Sequence, residues 1–175
     1  MKDSHTILMP YQPSWKSKFE AEEVKLKEIF NGKAIAIQHI GSTSIPGLAS
    51  KPIIDMAVLI EKREDGDSFI KLLEEFEYSF DQLNSSGERH LFRKGNPTEF
   101  HLSIAYKDKG CFWERQILFR DYLRKHSDFR DEYQRLKESL LQNDPSGKDS
   151  YIGGKTEFVN RVLTLARIEK QHIDK

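Results

Sequence analysis

The sequence predicts an α+β fold, with an N-terminal α/β part followed by a helical part. Two observations carry this. Short apolar segments with strand patterning lie before residue 107, and beyond Gly110 the apolar spacing turns helical. At 175 residues the length favours one domain of about 150 residues, and no repeat or Gly/Ser/Pro-rich linker divides positions 1–175.

Taken in order, the first helix starts after Pro13-Ser14, a capping signal, and stops at Asn31-Gly32. Lys33 to Ile40 reads as a strand with Ile35, Ile37 and His39 on one face. A loop rich in Gly, Ser and Thr, Gly41 to Ser50, leads to a second and more buried strand, Pro52 to Ile60. Phe69, Ile70, Leu72, Leu73 and Phe76 form the stripe of an amphipathic helix. Arg89 to Lys94 and Thr98 to Tyr106 flank Gly95-Asn96-Pro97, a hairpin signal. In the second of these strands Glu99, His101 and Ser103 share one face, and three polar groups there suggest a cleft. Helices follow over Phe112 to Lys125, Ser127 to about Gln142 and Tyr151 to about Lys170, with a break at Asn143 to Gly147.

Composition narrows the function classes. Lys and Arg total 28 and Asp and Glu total 28, a zero balance that argues against general nucleic-acid binding while allowing a local anion pocket. The longest apolar stretch, Ile53 to Ile60, is interrupted by Asp55 and falls far short of the ~20 residues of a membrane helix. The N-terminus lacks the apolar core of a secretory signal, so the expected location is the cytoplasm. Cys111 is the single cysteine, which excludes an internal disulfide and a multi-cysteine zinc site.

The densest polar cluster runs from His39 to Asp55. A strand entering Gly41-Ser42-Thr43-Ser44 offers backbone N–H groups and hydroxyls of the kind that hold phosphate, and Lys51 adds a point charge. The spacing of the ATPase phosphate loop is absent, and taken alone such a loop is also an ordinary turn. Asp55 lies by pattern among buried apolar neighbours, where a carboxylate must be paired or bind metal. His101, near Glu99, could complete a weak Asp/His/Glu metal site with Asp55 or be a satisfied polar group. Arg89 and Arg93 suit a fork-like phosphate grip or an outer strand face. Arg120 and Arg124 are four apart on a helix with Asp121 between them in sequence, a pattern that reads first as a solvated face of salt bridges and otherwise as a ligand contact; Tyr151 and Lys155, in the same relation, could bind a base or phosphate from the helical part. His39 either touches the loop's ligand or hydrogen-bonds the backbone.

The step from Ser42 to Asp55 resembles the nucleotidyltransferase superfamily typified by DNA polymerase beta, in which a Gly-Ser pair precedes an Asp-x-Asp or Asp-x-Glu pair that holds divalent metal. Here the second position is Ala57. The chain resembles more closely the GrpB family, assigned to that fold and sometimes fused to dephospho-CoA kinase. The resemblance rests on His39 to Asp55, Tyr11-Gln12-Pro13-Ser14-Trp15, Phe100-His101-Leu102, and Leu118 to Arg124, then Tyr133, Leu136-Lys137, Tyr151 and Lys155. Where the family often has a second histidine, this chain has Ser103.

The resemblance implies a nucleotidyltransferase-like mixed β-sheet flanked by helices, with a C-terminal helical segment. It also implies metal-dependent transfer of a nucleotidyl group from a nucleoside triphosphate to a small-molecule or protein hydroxyl. Gly41, Ser42 and Thr43 would then hold phosphates, with Ser44 beside them, and Asp55 would bind Mg²⁺ or Mn²⁺. Lys51 and Arg93 would neutralise charge, and His101 or Glu99 would serve as ligand or base. The alternative is a module that binds a nucleotide, a CoA-like ligand or another phosphorylated small molecule and assists a partner. Oligomeric state stays open.

Overall fold

The computed structural model describes residues 7–144 and 153–173. Helix α1 (Ser14–Phe30) begins with no side-chain cap and ends where Asn31 turns left-handed at φ +43° and returns its N–H to Lys27 O. Strands β1 (Ala36–Ile40) and β2 (Ile54–Ile60) follow, joined by a loop containing one 3₁₀ turn, Ser42–Ser44. A second 3₁₀ segment, Arg63–Phe69, leads into the short α2 (Ile70–Glu75) and the edge strand β3 (Tyr78–Phe80). The hairpin of β4 (Arg89–Lys94) and β5 (Phe100–Tyr106) precedes α3 (Phe112–Lys125), α4 (Ser127–Asn143) and α5 (Thr156–Ile173).

The five strands form one mixed sheet in the order β1-β2-β5-β4-β3. β2 and β5 pair in parallel at its centre, and the other pairs are antiparallel. One face carries Ile54, Met56, Val58 and Ile60 of β2 and Leu102, Ile104 and Tyr106 of β5, packed with Trp15, Leu26, Ile29 and Phe30 of α1 and Leu73 of α2. Beneath α1, the buried Glu22 accepts hydrogen bonds from Tyr78 Oη at 2.7 Å, Lys94 Nζ at 2.6 Å and Lys25 Nζ at 3.0 Å. Its carboxylate thereby ties α1 to β3 and β4.

The opposite face is covered along part of its length by α3, where Ile40, Ala57, Ala105 and Phe112 form a small core. A third core joins the loop to the helical part: Ile45 and Leu48 pack with Tyr122, Leu123, Tyr133, Phe158 and Val162. The helical part also grips the loop through its main chain. Arg124 donates two hydrogen bonds to Ser44 O at 2.9 and 2.7 Å, Arg120 donates one to His39 O at 3.0 Å, and Gln134 Oε1 accepts one from Ala49 N–H at 3.2 Å.

Four local expectations are corrected. β1 is shorter than Lys33–Ile40, starting at Ala36, and Ile35 is largely exposed. β2 begins at Ile54, because the chain at Pro52 and Ile53 is still turning. The helix expected around Phe69–Phe76 is only Ile70–Glu75, since the residues before it wind as 3₁₀ and Glu77 takes φ +68° just before β3. The last helix, expected from Tyr151, is described from Thr156 to Ile173; Tyr151 itself lies outside the described residues.

Candidate functional site

The site is built where β1 ends and β2 and β5 begin. Ile40 pairs with Asp55 across the antiparallel β1–β2 ladder, so the chain leaves β1 directly beside the Asp55 side chain. Gly41 allows this contact: its φ is +69° and ψ −175°, a conformation open essentially to glycine. A Cβ at this position would lie 2.5 Å from Asp55 Oδ2 and 2.9 Å from Asp55 Cβ. The chain then closes its 3₁₀ turn, with Ser44 N–H donating to Gly41 O at 3.1 Å and Ile45 N–H to Ser42 O at 3.1 Å.

That turn uses much of what the loop was expected to offer a ligand. Ser44 is buried and its hydroxyl donates to Gly41 O, while buried Thr43 pairs through Oγ1 with His39 Nε2 at 2.9 Å. Ser42, of the three hydroxyls, lines the cleft.

Parallel pairing sets Asp55 beside His101, and Asp55 Oδ1 lies 3.1 Å from His101 Nδ1. Arg93, the partner of His101 across β4–β5, reaches its Nε2 at 3.1 Å and donates its own Nε–H to Asp81 at 2.6 Å. A guanidinium only donates, so Nε2 accepts, the ring proton sits on Nδ1, and His101 donates to Asp55. The result is a chain of polar contacts from Asp81 through Arg93 and His101 to Asp55. Arg89 lies further along β4, donating to Ser103 Oγ at 3.2 Å with its guanidinium 5.0 Å from the Phe112 ring centre.

Three lysines complete the cleft, a cavity of about 140 Å³. Lys51 comes from the end of the loop, Lys155 from the residue before α5, and Lys137 from α4. Lys137 is 2% exposed. It donates to Ala49 O at 2.5 Å and Ser42 Oγ at 3.2 Å and lies 5.0 Å from the Tyr133 ring centre. Burial, with repulsion from Lys155, pulls its ammonium down to about 7. Burial and repulsion from Lys51, against the attraction of Asp55, bring Lys155 down to about 8. Lys51 is also lowered by burial, with Asp55 opposing.

The structure therefore gathers Ser42, Lys51, Asp55, His101 and Lys155 around one cleft, and joins Arg93 to it through His101. It places His39, Glu99 and Arg120 elsewhere, and Tyr151 lies outside the described residues. His39 lies on the other sheet face, stacked on Phe19 with ring centres 4.9 Å apart, because it pairs with Met56 rather than Asp55. Burial, aided by repulsion from Arg124 and Arg120, pulls His39 down to about 4. Glu99 precedes the regular part of β5, so the alternation does not reach it, and its carboxylate meets Lys18 of α1 at 3.6 Å. Arg120 is buried against Gln38 and His39 O, a support for the loop rather than a ligand contact. Asp55, expected to be buried, has a side chain 36% exposed, since its strand face opens to the cleft at that end.

Lys137 was not singled out as a site residue. The available signal was its place four residues after Tyr133 on the apolar stripe of α4, where a lysine is out of keeping.

The donors do not fit a divalent-metal centre. Among the described residues no group of three or more His, Cys, Asp or Glu side chains is arranged to hold a metal ion. Both ring nitrogens of His101 are engaged, Glu99 faces elsewhere, and Ala57 is fully buried with Ile40, Ala105 and Phe112.

A family profile described as GrpB protein matches residues 5–165. The chain is 38% identical over 157 residues to the UPF0157 protein YqkA of Bacillus subtilis, an alignment covering 90% of this chain and 46% of YqkA. The chain thus spans about half the length of that relative. A dephospho-CoA kinase of Mycolicibacterium paratuberculosis is 24% identical over 85% of this chain and 42% of its own. Among solved structures, the conserved protein GrpB from Enterococcus faecalis superposes with a TM-score of 0.84 at 34% identity, covering 94% of this chain and 99% of that one. The Cid1 poly(U) polymerase with MgGTP bound shares the fold, with a TM-score of 0.56 at 14% identity over 83% of this chain and 50% of that one. Among the described residues no helix is long and apolar enough to cross a membrane.

Proposed function

The chain belongs to the GrpB family, and from that premise we propose that its cleft binds the phosphate chain of a nucleotide or a CoA-like ligand. In this reading the domain is a ligand-binding module on a nucleotidyltransferase-like scaffold. The observation that carries it is the meeting of Lys51, Lys137 and Lys155 with the Ser42 hydroxyl in one small cavity. Such a set of cationic donors recognises phosphate oxygens by charge-assisted hydrogen bonds. The nucleotide class is supported by the fold shared with Cid1, whose structures carry nucleotides. The CoA-like alternative is supported by the related dephospho-CoA kinase.

Nucleotidyl transfer to an acceptor hydroxyl is the second reading. It rests on Asp55, a half-exposed carboxylate hydrogen-bonded by His101 beside the lysines, a group able to accept the acceptor's proton. Against it stands the buried Ala57, which leaves the cleft one carboxylate short of a two-metal site.

A thermal-shift screen of ATP, GTP, CTP, UTP and CoA, followed by incubation with α-labelled nucleotide, tests both. Stabilisation without label transfer is the expected result, and Ser42→Glu, which sets a carboxylate in the cavity, should remove it while the unliganded melting temperature holds. Pyrophosphate release that disappears in Asp55→Asn would establish transfer instead. No stabilisation by any of these ligands would refute the phosphate reading.

A further inference from the structure

We infer that this cleft takes its phosphate group free of a divalent ion, with the ammonium groups of Lys51, Lys137 and Lys155 supplying the positive charge that a metal would bring. The inference rests on the phosphate-binding reading and goes beyond it by fixing the charge form of the ligand: an unchelated di- or triphosphate.

The argument begins with charge. Three lysines and one carboxylate line the cavity, so a divalent cation entering it meets a surplus of basic side chains and a single anionic ligand. Magnesium calls for near-octahedral oxygen coordination, usually through one or two carboxylates together with substrate phosphates. Asp55 already accepts a hydrogen bond from His101, and His101 is held in turn by Arg93. Position 57 offers a buried methyl group instead of a second carboxylate. An unchelated phosphate chain suits the same lining, because it carries more negative charge than its magnesium complex.

The cations also lie at different depths. Lys137 is enclosed, held by Ala49 O and Ser42 Oγ, whereas Lys155 is half-buried. The charged and titratable groups facing Lys137 are Lys51 from the loop, Lys155 from beside α5, and Glu138 and Tyr133 from its own helix. Asp55 and His101 line the same cavity from β2 and β5. Burial brings two of the lysines toward neutrality, Lys137 to about 7 and Lys155 to about 8. A phosphate chain stabilises their charged forms, so its binding draws in protons at and above neutral pH and weakens as the pH rises.

The probes are ATP and inorganic pyrophosphate, titrated calorimetrically with EDTA and with excess Mg²⁺, at pH 7 and pH 9. In EDTA the expected affinity equals or exceeds that in Mg²⁺, falls by at least about tenfold from pH 7 to pH 9, and is accompanied by proton uptake seen as a dependence on buffer ionisation enthalpy. Asp55→Asn should retain or improve binding in EDTA, because it removes the anion beside the ligand. Lys155→Gln, which keeps the side chain's polarity and removes its charge, should weaken binding by about tenfold or more. Binding that requires Mg²⁺, or that Asp55→Asn abolishes, overturns the metal-free inference and leaves the phosphate reading standing. Unchanged affinity in Lys155→Gln also overturns it. No binding of either probe in either arm overturns the phosphate reading itself and this inference with it. Pyrophosphate binding as tightly as ATP identifies the phosphates as the recognised part and supports the inference.

Discussion

Replacing Gly41 by alanine should disturb both the fold and the cleft, and the two contributions can be separated. The backbone at φ +69° and ψ −175° costs a non-glycine residue about 1–3 kcal/mol. The new methyl carbon would then lie 2.5 Å from Asp55 Oδ2 and 2.9 Å from Asp55 Cβ. The second contact is with an atom fixed to the β2 backbone, so rotating the carboxylate does not relieve it. Asp55 must shift and its 3.1 Å hydrogen bond with His101 is lost, adding roughly 1 kcal/mol for a part-exposed pair. A total of ~3 kcal/mol lowers the melting temperature by about 6–12 °C in a chain of this size. Gly32→Ala is the control, because Gly32 also has a positive φ of +80° but nothing within 4 Å of its added carbon. Urea unfolding followed by circular dichroism measures both variants. If Gly41→Ala costs no more than Gly32→Ala, the contact with Asp55 does not constrain residue 41 and the reasoning fails.

Glu22 supplies a second prediction. Burial raises its carboxyl, but the hydrogen bonds from Lys94, Tyr78 and Lys25 outweigh burial and hold it below the usual range. Its stabilising effect is therefore present above the unfolded value near 4.5 and fades as the pH falls through the lower folded value. Glu22→Gln should cost about 3–5 kcal/mol at pH 7, the range for a broken buried pair. In urea titrations the gap between the variant and the wild type should narrow as the pH falls below about 4.5, and a constant gap would contradict this origin. Lys137 behaves in the opposite sense: with the folded value near 7 against 10.5 unfolded, the unfolded chain binds more protons between those limits. Wild-type stability from this residue should rise by ~2 kcal/mol from pH 7 to pH 9 relative to Lys137→Met. A difference independent of pH would show that Lys137 keeps an ordinary affinity for its proton.

The periodic signals located most of the fold because burial imposes them directly. The stripes of α1 and α4 follow from one face being covered, and the alternation along Phe100 to Tyr106 from one face meeting the main core with large apolar side chains while the other carries His101, Ser103 and Ala105. β3 escaped notice because a three-residue edge strand has too few residues to show a period. The site was legible where a residue and its neighbour share a register, as Asp55 and His101 do. It was not legible where the sheet's pairing decides which face a residue takes: His39 and Asp55 approach the loop from its two ends, yet the β1–β2 ladder puts them on opposite faces. Glu99 misled for a related reason, since its spacing continues the alternation while its backbone lies outside the strand. Lys137 stands 82 positions from Asp55 in the chain, and only the packing of α4 against the loop brings them to one cavity.

The small core around Ala57 constrains the routes by which this lineage can change its chemistry. An aspartate at position 57 is one substitution away in protein terms, yet it would bury an ion among Ile40, Ala105 and Phe112, where Ala57 has no exposed surface. An uncompensated charge in such a place costs several kcal/mol, a large share of the ~5–15 kcal/mol by which domains are stable. Substitutions that make room, at Phe112 for example, open a cavity in the core while no carboxylate is there to use it. Either order of steps passes through a weakened protein. The packing of α3 on the sheet thus makes a carboxylate at position 57 costly, and leaves the lysine side of the cleft as the part open to substitution.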